Sequence, residues 1–214
     1  MLMRAPRESG SWSWNLEDVE QPGLEFALMT AARMSTVLEK HALLVPSSLE
    51  WAWFQTGRGG LGVHSRLDLV TSPLDDPALP DEVRACRPAG HPQAEIGGIL
   101  VLGSGTWFDA DGERHREYRL VELMVAPDEV DLWGELSVHH DVWGQCDFRG
   151  EPQPAIHADN APRLASALQE LDQVLGVAAE PGGPTYYGRA EGHGLGAPDV
   201  IDGRGPDLTD AARG

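Results

Sequence analysis

Residues 133–146 combine acidic, imidazole and indole side chains at a spacing of two. Alternate positions of this segment, WGELSVHHDVWGQC, hold Trp133, Glu135, Ser137, His139, Asp141, Trp143 and Gln145. Successive side chains of a β-strand point to opposite faces, so these residues would share one face of a strand. The other side, with Leu136, Val138, His140, Val142 and Cys146, is mostly apolar. The pattern therefore predicts a strand with one buried face.

An imidazole between two carboxylates could perform two kinds of chemistry. Glu135, His139 and Asp141 are metal ligands by type, and a histidine beside a carboxylate can act as a general base. Residues two apart on a strand lie about 7 Å apart, so a shared ion would need a donor from a neighbouring strand. We therefore interpret Trp133, Glu135, His139, Asp141 and Trp143 first as a binding surface. The alternative is a metal-assisted hydrolase that uses Glu135, His139 and Asp141.

The other reactive side chains favour structural roles. His140 and Cys146 lie on the apolar side of the predicted strand, which is typical of a core histidine and a buried thiol. Asp109, Asp111 and Gly112 resemble part of a calcium loop but lack the closing glutamate, so a hairpin turn is the better interpretation. The sequence has no Gly-x-Ser-x-Gly elbow, P-loop or HExxH motif. We expect no cofactor and no bound metal, and a binding protein rather than an enzyme.

The charge balance restricts the class of partner. The 214-residue chain carries a formal net charge of −18 at pH 7. Such a charge argues against nucleic acid, whose phosphates need clustered cations, and against anionic membrane surfaces. It is compatible with a basic protein, since opposite fields steer the encounter. The alternative is that the charge only maintains solubility.

The cysteine content and the apolar runs indicate a compartment. Cys86 and Cys146 are the only cysteines, and they lie in different contexts, so no disulfide framework is expected. The first residues lack the apolar run of a signal peptide, and no window approaches the roughly 20 apolar residues of a membrane span. We expect a cytoplasmic protein with reduced thiols. Its 25 Gly, 16 Pro and single lysine are typical of proteins from GC-rich bacterial genomes.

The remaining patterns predict the elements that position residues 133–146. Residues 1–22 form an N-terminal arm, and the favoured interpretation is a terminus partly ordered around Trp12 and Trp14. Alternatively, the spacing of these indoles marks a short strand or a segment docked along a sheet edge. Residues 23–44 have helical periodicity, 49–56 and 61–70 form a hairpin, 94–102 and 118–126 form a second one, and Asn160 caps a helix that ends at Gly176. From residue 177 onward Gly and Pro dominate, and only 185–188 has aromatic side chains able to dock.

The order of these elements predicts an α+β fold. We expect an antiparallel sheet of about five or six strands with two helices on one face. The domain would span residues 23–176, and the tail, 177–214, would be largely disordered at its end. The helix-free face would carry the tryptophans and the polar row. The functional hypothesis is a non-catalytic acidic protein that binds a basic protein, in its most concrete version an inhibitor or immunity-type protein. A third hypothesis is a homodimer that pairs through the polar face.

Overall fold

The computed structural model describes residues 2–17, 21–70, 72–127 and 132–212, and it has the predicted α+β architecture. Its elements are β1 (Gly10–Asn15), α1 (Leu24–Lys40), β2 (Val45–Gln55), β3 (Gly59–Asp68), α2 (Leu79–Ala85), β4 (Glu95–Phe108), β5 (Arg114–Tyr118), β6 (Val121–Pro127), β7 (Leu132–Val138), a 3-10 turn (Asp141–Trp143), α3 (Pro154–Leu175), β8 (Glu180–Pro181), β9 (Ala190–Glu191), β10 (Gly194–Leu195) and α4 (Thr209–Ala212). The main sheet has eight strands, more than the sequence predicted.

The main sheet is antiparallel at every described pairing. Its path is β3-β2-β4-β6-β7-β1-β8, and β5 pairs with β4 beyond the stretch that β6 covers. Both predicted hairpins are present, one formed by β2 and β3 and the other by β4 with β5 and β6. Strand β7 therefore lies inside the sheet, between β6 and β1.

The two long helices cover one face of this sheet. Met34 of α1 packs so closely over β7 that a Cβ on Gly134 would lie 3.0 Å from its sulfur. On the neighbouring strand, Trp14 is paired with Gly134 and donates a hydrogen bond from Nε1 to Asp172 of α3 (2.8 Å). Since paired residues point to the same side, α1 and α3 share this face. Both helices bury their predicted apolar stripes against it.

The opposite face of the sheet carries a row of mostly polar side chains. Cross-strand pairing places one row across it, made of Arg66, Glu50, Leu100, Met124, Glu135 and Ser13. Within the described residues, no helix packs on this row, and we call this side the helix-free face. Of the seven tryptophans, Trp133 is partly exposed on this face, whereas the other six are buried. The prediction that this face carries the tryptophans is wrong for those six.

The N-terminal segment contributes a strand of the main sheet. Strand β1 inserts between β7 and β8, and the indoles of Trp12 and Trp14 are fully buried. Their spacing of two thus marks a strand, which was the alternative interpretation of the arm. The favoured one, a partly ordered terminus, does not describe residues 10–15.

Both long helices have boundaries that differ from the predicted ones. Helix α1 ends at Lys40, and Ala42 follows with a positive φ of 55°, although apolar Leu43 and Leu44 continue the helical spacing. Helix α3 begins at Pro154, not after Asn160, which lies inside it. Gly176 caps the end of α3 in the left-handed conformation, as predicted (φ 73°).

The contacts of the C-terminal segment extend beyond residues 185–188, the part that was predicted to dock. Strand β8 adds to the sheet edge at β1, and β9 pairs with β10. Further along, Leu208 donates a backbone hydrogen bond to Phe148 (2.7 Å), and the hydroxyl of Tyr187 donates to the carbonyl of Ala211 (2.7 Å). The division into arm, domain and tail, with disorder at its end, stays a prediction. Among the described residues, no helix is long and apolar enough to cross a membrane.

Candidate functional site

The predicted row of outward side chains is divided by the end of β7. The strand stops at Val138, and residues 141–143 form a 3-10 turn. Trp133, Glu135 and Ser137 lie on the helix-free face, and His139 stays beside them. Asp141 and Trp143 turn into the interior, where they are 4% and 1% exposed. The prediction of one strand through Cys146 is therefore wrong beyond Val138, and two members of the proposed surface are buried.

A pairing with the chain's first residues accounts for this turn. The amide of Ala5 donates to the carbonyl of His139 (2.8 Å), and the amide of Asp141 donates to Met3 (3.1 Å). In return, the amide of Met3 donates to Oδ1 of Asp141 (3.0 Å). The amide of Gly144 then closes the turn on the carbonyl of Asp141 (3.0 Å). This arrangement draws Asp141 away from Glu135 and His139, so the three residues do not converge.

Among the described residues, one group of three side chains could share a metal ion, and it lies elsewhere. Asp109, Glu113 and His115 bring their ligand atoms within 4.8 Å of one another at the β4–β5 hairpin. Asp109 Oδ1 accepts the amides of Asp111 and Glu113, and Oδ2 lies 2.6 Å from Nε2 of His115. These are contacts of a capped turn, as predicted for this motif. The histidine ring also stacks on Trp107, with centroids 4.8 Å apart.

Glu122 on the helix-free face is fully paired. Two arginines contact its Oε1: Arg4 by a hydrogen bond, and Arg119 through Nε at 2.9 Å. Burial alone would raise the pKa of Glu122, but the arginines and the nearby His139 outweigh it, so the pKa is lowered. Glu122 is therefore an ionised and compensated carboxylate.

His139 lies beside this ion pair without the geometry of a catalytic triad. Its Nε2 is 3.5 Å from the Ser137 hydroxyl and 3.8 Å from Oε1 of Glu122, while Nδ1 has no partner. In a triad the hydroxyl and the acid contact different ring nitrogens. Burial lowers the pKa of His139, although Glu122 opposes this effect. A neutral, half-buried imidazole is what this environment favours.

Glu135, by contrast, has no hydrogen bond or ion pair with any described residue. It is half-buried between Met124 of β6 and Ser13 of β1, and Trp133 lies on the same face of its own strand. Burial, followed by repulsion from Glu8, raises the pKa of Glu135. The same face thus holds one compensated carboxylate and one that lacks a positive partner.

A second candidate region lies where Asp141 turns inward. A cavity of about 370 Å³ separates residues 140–148 from the C-terminal segment. Asp141, Cys146 and Phe148 line it from one side, and Tyr186 and Tyr187 from the other. The sequence predicted Asp141 on the outward face of a strand, Cys146 on its buried face, and residues 185–188 as a short stretch able to dock. The aromatic pair of residues 185–188 was the one available signal.

Comparison with known proteins adds nothing to this geometry. No protein family, curated protein or solved structure matches the chain.

Proposed function

We propose that this chain is a non-catalytic acidic binding protein that engages a basic protein through its helix-free face. The contact would centre on Trp133 and Glu135, with His139 at its border. Asp141 and Trp143 no longer belong to it, because they are buried. The observation that carries the proposal is the carboxylate of Glu135, which has no partner among the described residues, on the same strand face as the half-buried indole of Trp133.

The energetics favour a cation from outside the chain. A half-buried carboxylate without a partner is costly, and a guanidinium or ammonium group offers it a charge-assisted hydrogen bond. The same cation could lie over the indole of Trp133, a contact that contributes about 0.5–2 kcal/mol. The arginines assigned to this face already have acidic partners: Arg4 and Arg119 are bonded to Glu122, and Arg66 pairs with Glu50 and Asp68. The net charge of −18 would attract a basic partner over a longer range.

An inhibitor or immunity-type protein, acting in the bacterial cytoplasm, is the most concrete form of this proposal. Charge and size support that label by analogy. The two unpaired cysteines, Cys86 and Cys146, suit a reducing compartment. The metal-assisted hydrolase gains no comparable support, because Glu135, His139 and Asp141 lie in separate environments.

The decisive experiment compares matched charge variants in pull-downs and in binding measurements on the captured protein. Glu135→Gln and Trp133→Ala should each weaken binding about tenfold, since each removes a central contact. Glu39→Gln makes the same charge change on the exposed side of α1 and should leave the affinity unchanged. Binding should also fall steeply between about 50 mM and 500 mM salt.

Three results would contradict the proposal. No specific partner is retained, or retention is indifferent to salt, or Glu39→Gln weakens binding as much as Glu135→Gln does. Light scattering tests whether a second copy of the chain covers this face instead. A stable homodimer that Trp133→Ala dissociates would mean that a second copy, not a basic partner, covers Glu135.

A further inference from the structure

The cavity beside Asp141 has the composition of a binding site for cations. Its aromatic wall consists of Phe148, Tyr186 and Tyr187, and the Tyr187 ring packs against both others, with centroids 5.9 Å and 5.6 Å away. The acidic residues that line it are Asp141, Asp147 and Asp199, and the basic ones are Arg189 and the buried His140, whose pKa burial lowers to about 4. A volume of about 370 Å³ suffices for a small ligand or for one long side chain.

Asp141 and His140 are the two residues of this lining with a buried side-chain atom outside hydrogen-bond geometry to any described partner. Asp141 is 4% exposed, and its Oδ1 accepts the amide of Met3. Its Oδ2 has no described donor within hydrogen-bond geometry, although the backbone amide of Phe148 lies near enough to lower the pKa of the carboxyl group. A buried carboxylate oxygen without a donor is strongly destabilising unless a donor arrives from elsewhere. Because this oxygen has almost no accessible surface, a cation can donate to it only after a residue of the lining moves aside.

We propose that this cavity binds a small organic cation, a primary ammonium or guanidinium group, which donates to Asp141 and lies against the aromatic wall. Phe148, Tyr186 and Tyr187 would interact with the charge through their ring faces. The remaining acids, Asp147 and Asp199, strengthen the negative field around the entering group. The inference goes beyond the proposed function, because its residues differ from those of the helix-free face.

The same chemistry has two possible sources, a free amine or a lysine or arginine side chain of another protein. Calorimetry with n-pentylamine, with n-pentanol and with a blocked Gly-Lys-Gly peptide distinguishes them. The amine should bind saturably and the alcohol should not, because only the amine carries a charge for Asp141. Tighter binding of the peptide than of the amine assigns the site to a protein side chain. The reverse order assigns it to a small molecule.

Asp141→Asn tests the central contact, because the amide keeps an acceptor for Met3 but removes the charge. We expect the affinity for pentylamine to fall more than about tenfold. Asp81→Asn makes the same charge change at an exposed position of α2 and should leave the affinity for pentylamine unchanged. The Glu135→Gln variant should also bind the amine with normal affinity. The two proposals can therefore fail independently of each other.

A second variant keeps the test valid if Asp141→Asn does not fold. Tyr186 is 68% exposed, so Tyr186→Ala should fold, and its loss from the wall should weaken amine binding by about two- to fivefold. Equal binding of amine and alcohol, or no saturable binding of either the amine or the peptide, would overturn the inference. So would an affinity that neither variant changes.

Discussion

The two oxygens of Asp141 have opposite effects on the folded state. Oδ1 accepts an amide hydrogen bond from Met3, which favours the ionised form, as does the nearby amide of Phe148, whereas Oδ2 is buried outside hydrogen-bond geometry to any described donor. Burial prevails and raises the pKa of Asp141 to about 6. In the unfolded chain the group has an ordinary pKa near 3.9. The folded protein therefore holds a proton on Asp141 between these two values, and its stability falls as the pH rises through this range.

Substitution of Asp141 by asparagine should remove this dependence on pH. The wild type should gain about 1.4 kcal/mol in free energy of unfolding, relative to the variant, on going from about pH 7.5 to about pH 5. Urea unfolding of both proteins at the two pH values measures this difference. A stability difference that is the same at both would show that the carboxyl group titrates normally.

The comparison with the variant is necessary because His140 titrates in the opposite sense. Burial lowers the pKa of His140 to about 4, with a smaller effect from Arg4. Its ring stays neutral in the folded state, so it favours unfolding as the pH falls below its ordinary value near 6.5. His140 is present in both proteins, and its effect cancels in the difference.

The sequence could locate only part of the candidate site. A spacing of two places Trp133, Glu135 and His139 on one side, and the structure agrees. The same spacing continues through Asp141 and Trp143, and nothing local distinguishes a strand from the turn that forms there. The difference arises from pairing with residues 3–5, more than a hundred positions away, which no local pattern contains.

At the scale of elements, the connection from α1 to β2 depends on glycines in β4. Where this connection enters β2, the chain is so close to β4 that a Cβ on Gly103 would lie 2.0 Å from the carbonyl oxygen of Val45. At Gly105 the corresponding distance to the carbonyl oxygen of Leu43 is 2.2 Å. Both neighbours are backbone atoms, which cannot move aside as a side chain would. These glycines thus allow the chain to leave α1 and enter β2 directly over β4.

Gly103→Ala should therefore destabilise the protein by about 2 kcal/mol or more, since the backbone must shift to admit the methyl group. The matched control is Gly60→Ala on β3, where an added Cβ meets nothing within 4 Å. The control should change the free energy of unfolding by less than about 0.5 kcal/mol. Similar unfolding midpoints for the two variants would mean that the connection has room to move.

The element boundaries show where local signals mislead. Leu43 and Leu44 continue the helical spacing of α1, yet they lie in the connection that follows the helix and are buried there. Asn160 has the residue type of an N-cap, but its side chain bonds the backbone of Phe108 in both directions, at 2.9 Å and 2.8 Å. Asparagine serves either role, and only the position of β4 determines which one it takes.

At the scale of the whole molecule, segments near both termini complete the main sheet that the central strands form. Strands β1 and β8 enlarge the sheet beyond the predicted size. Residues 2–9 also contribute the arginine that pairs with Glu122 and the amide that holds Asp141. The composition of these segments predicted an arm and a tail, because apolar content alone does not reveal a strand that completes an existing sheet. The fold class was predictable from the order of elements, whereas the number of strands was not.

Removal of residues 199–214 tests what the C-terminal segment contributes. Its described contacts include an ion pair of Arg204 with Glu151 (2.6 Å) and hydrogen bonds from Gly205 to Gly150 (2.9 Å), from Leu208 to Phe148 and from the Tyr187 hydroxyl to Ala211. Exposed ion pairs contribute about 0–1 kcal/mol, so we expect a loss of only about 3–6 °C in melting temperature.

The cavity, however, loses Asp199 and Leu208 from its lining, and pentylamine binding should disappear. Binding at Trp133 and Glu135 should persist, because β7 lies elsewhere in the sheet. Unchanged amine affinity in the truncated protein would show that residues 140–148 form the site without this segment.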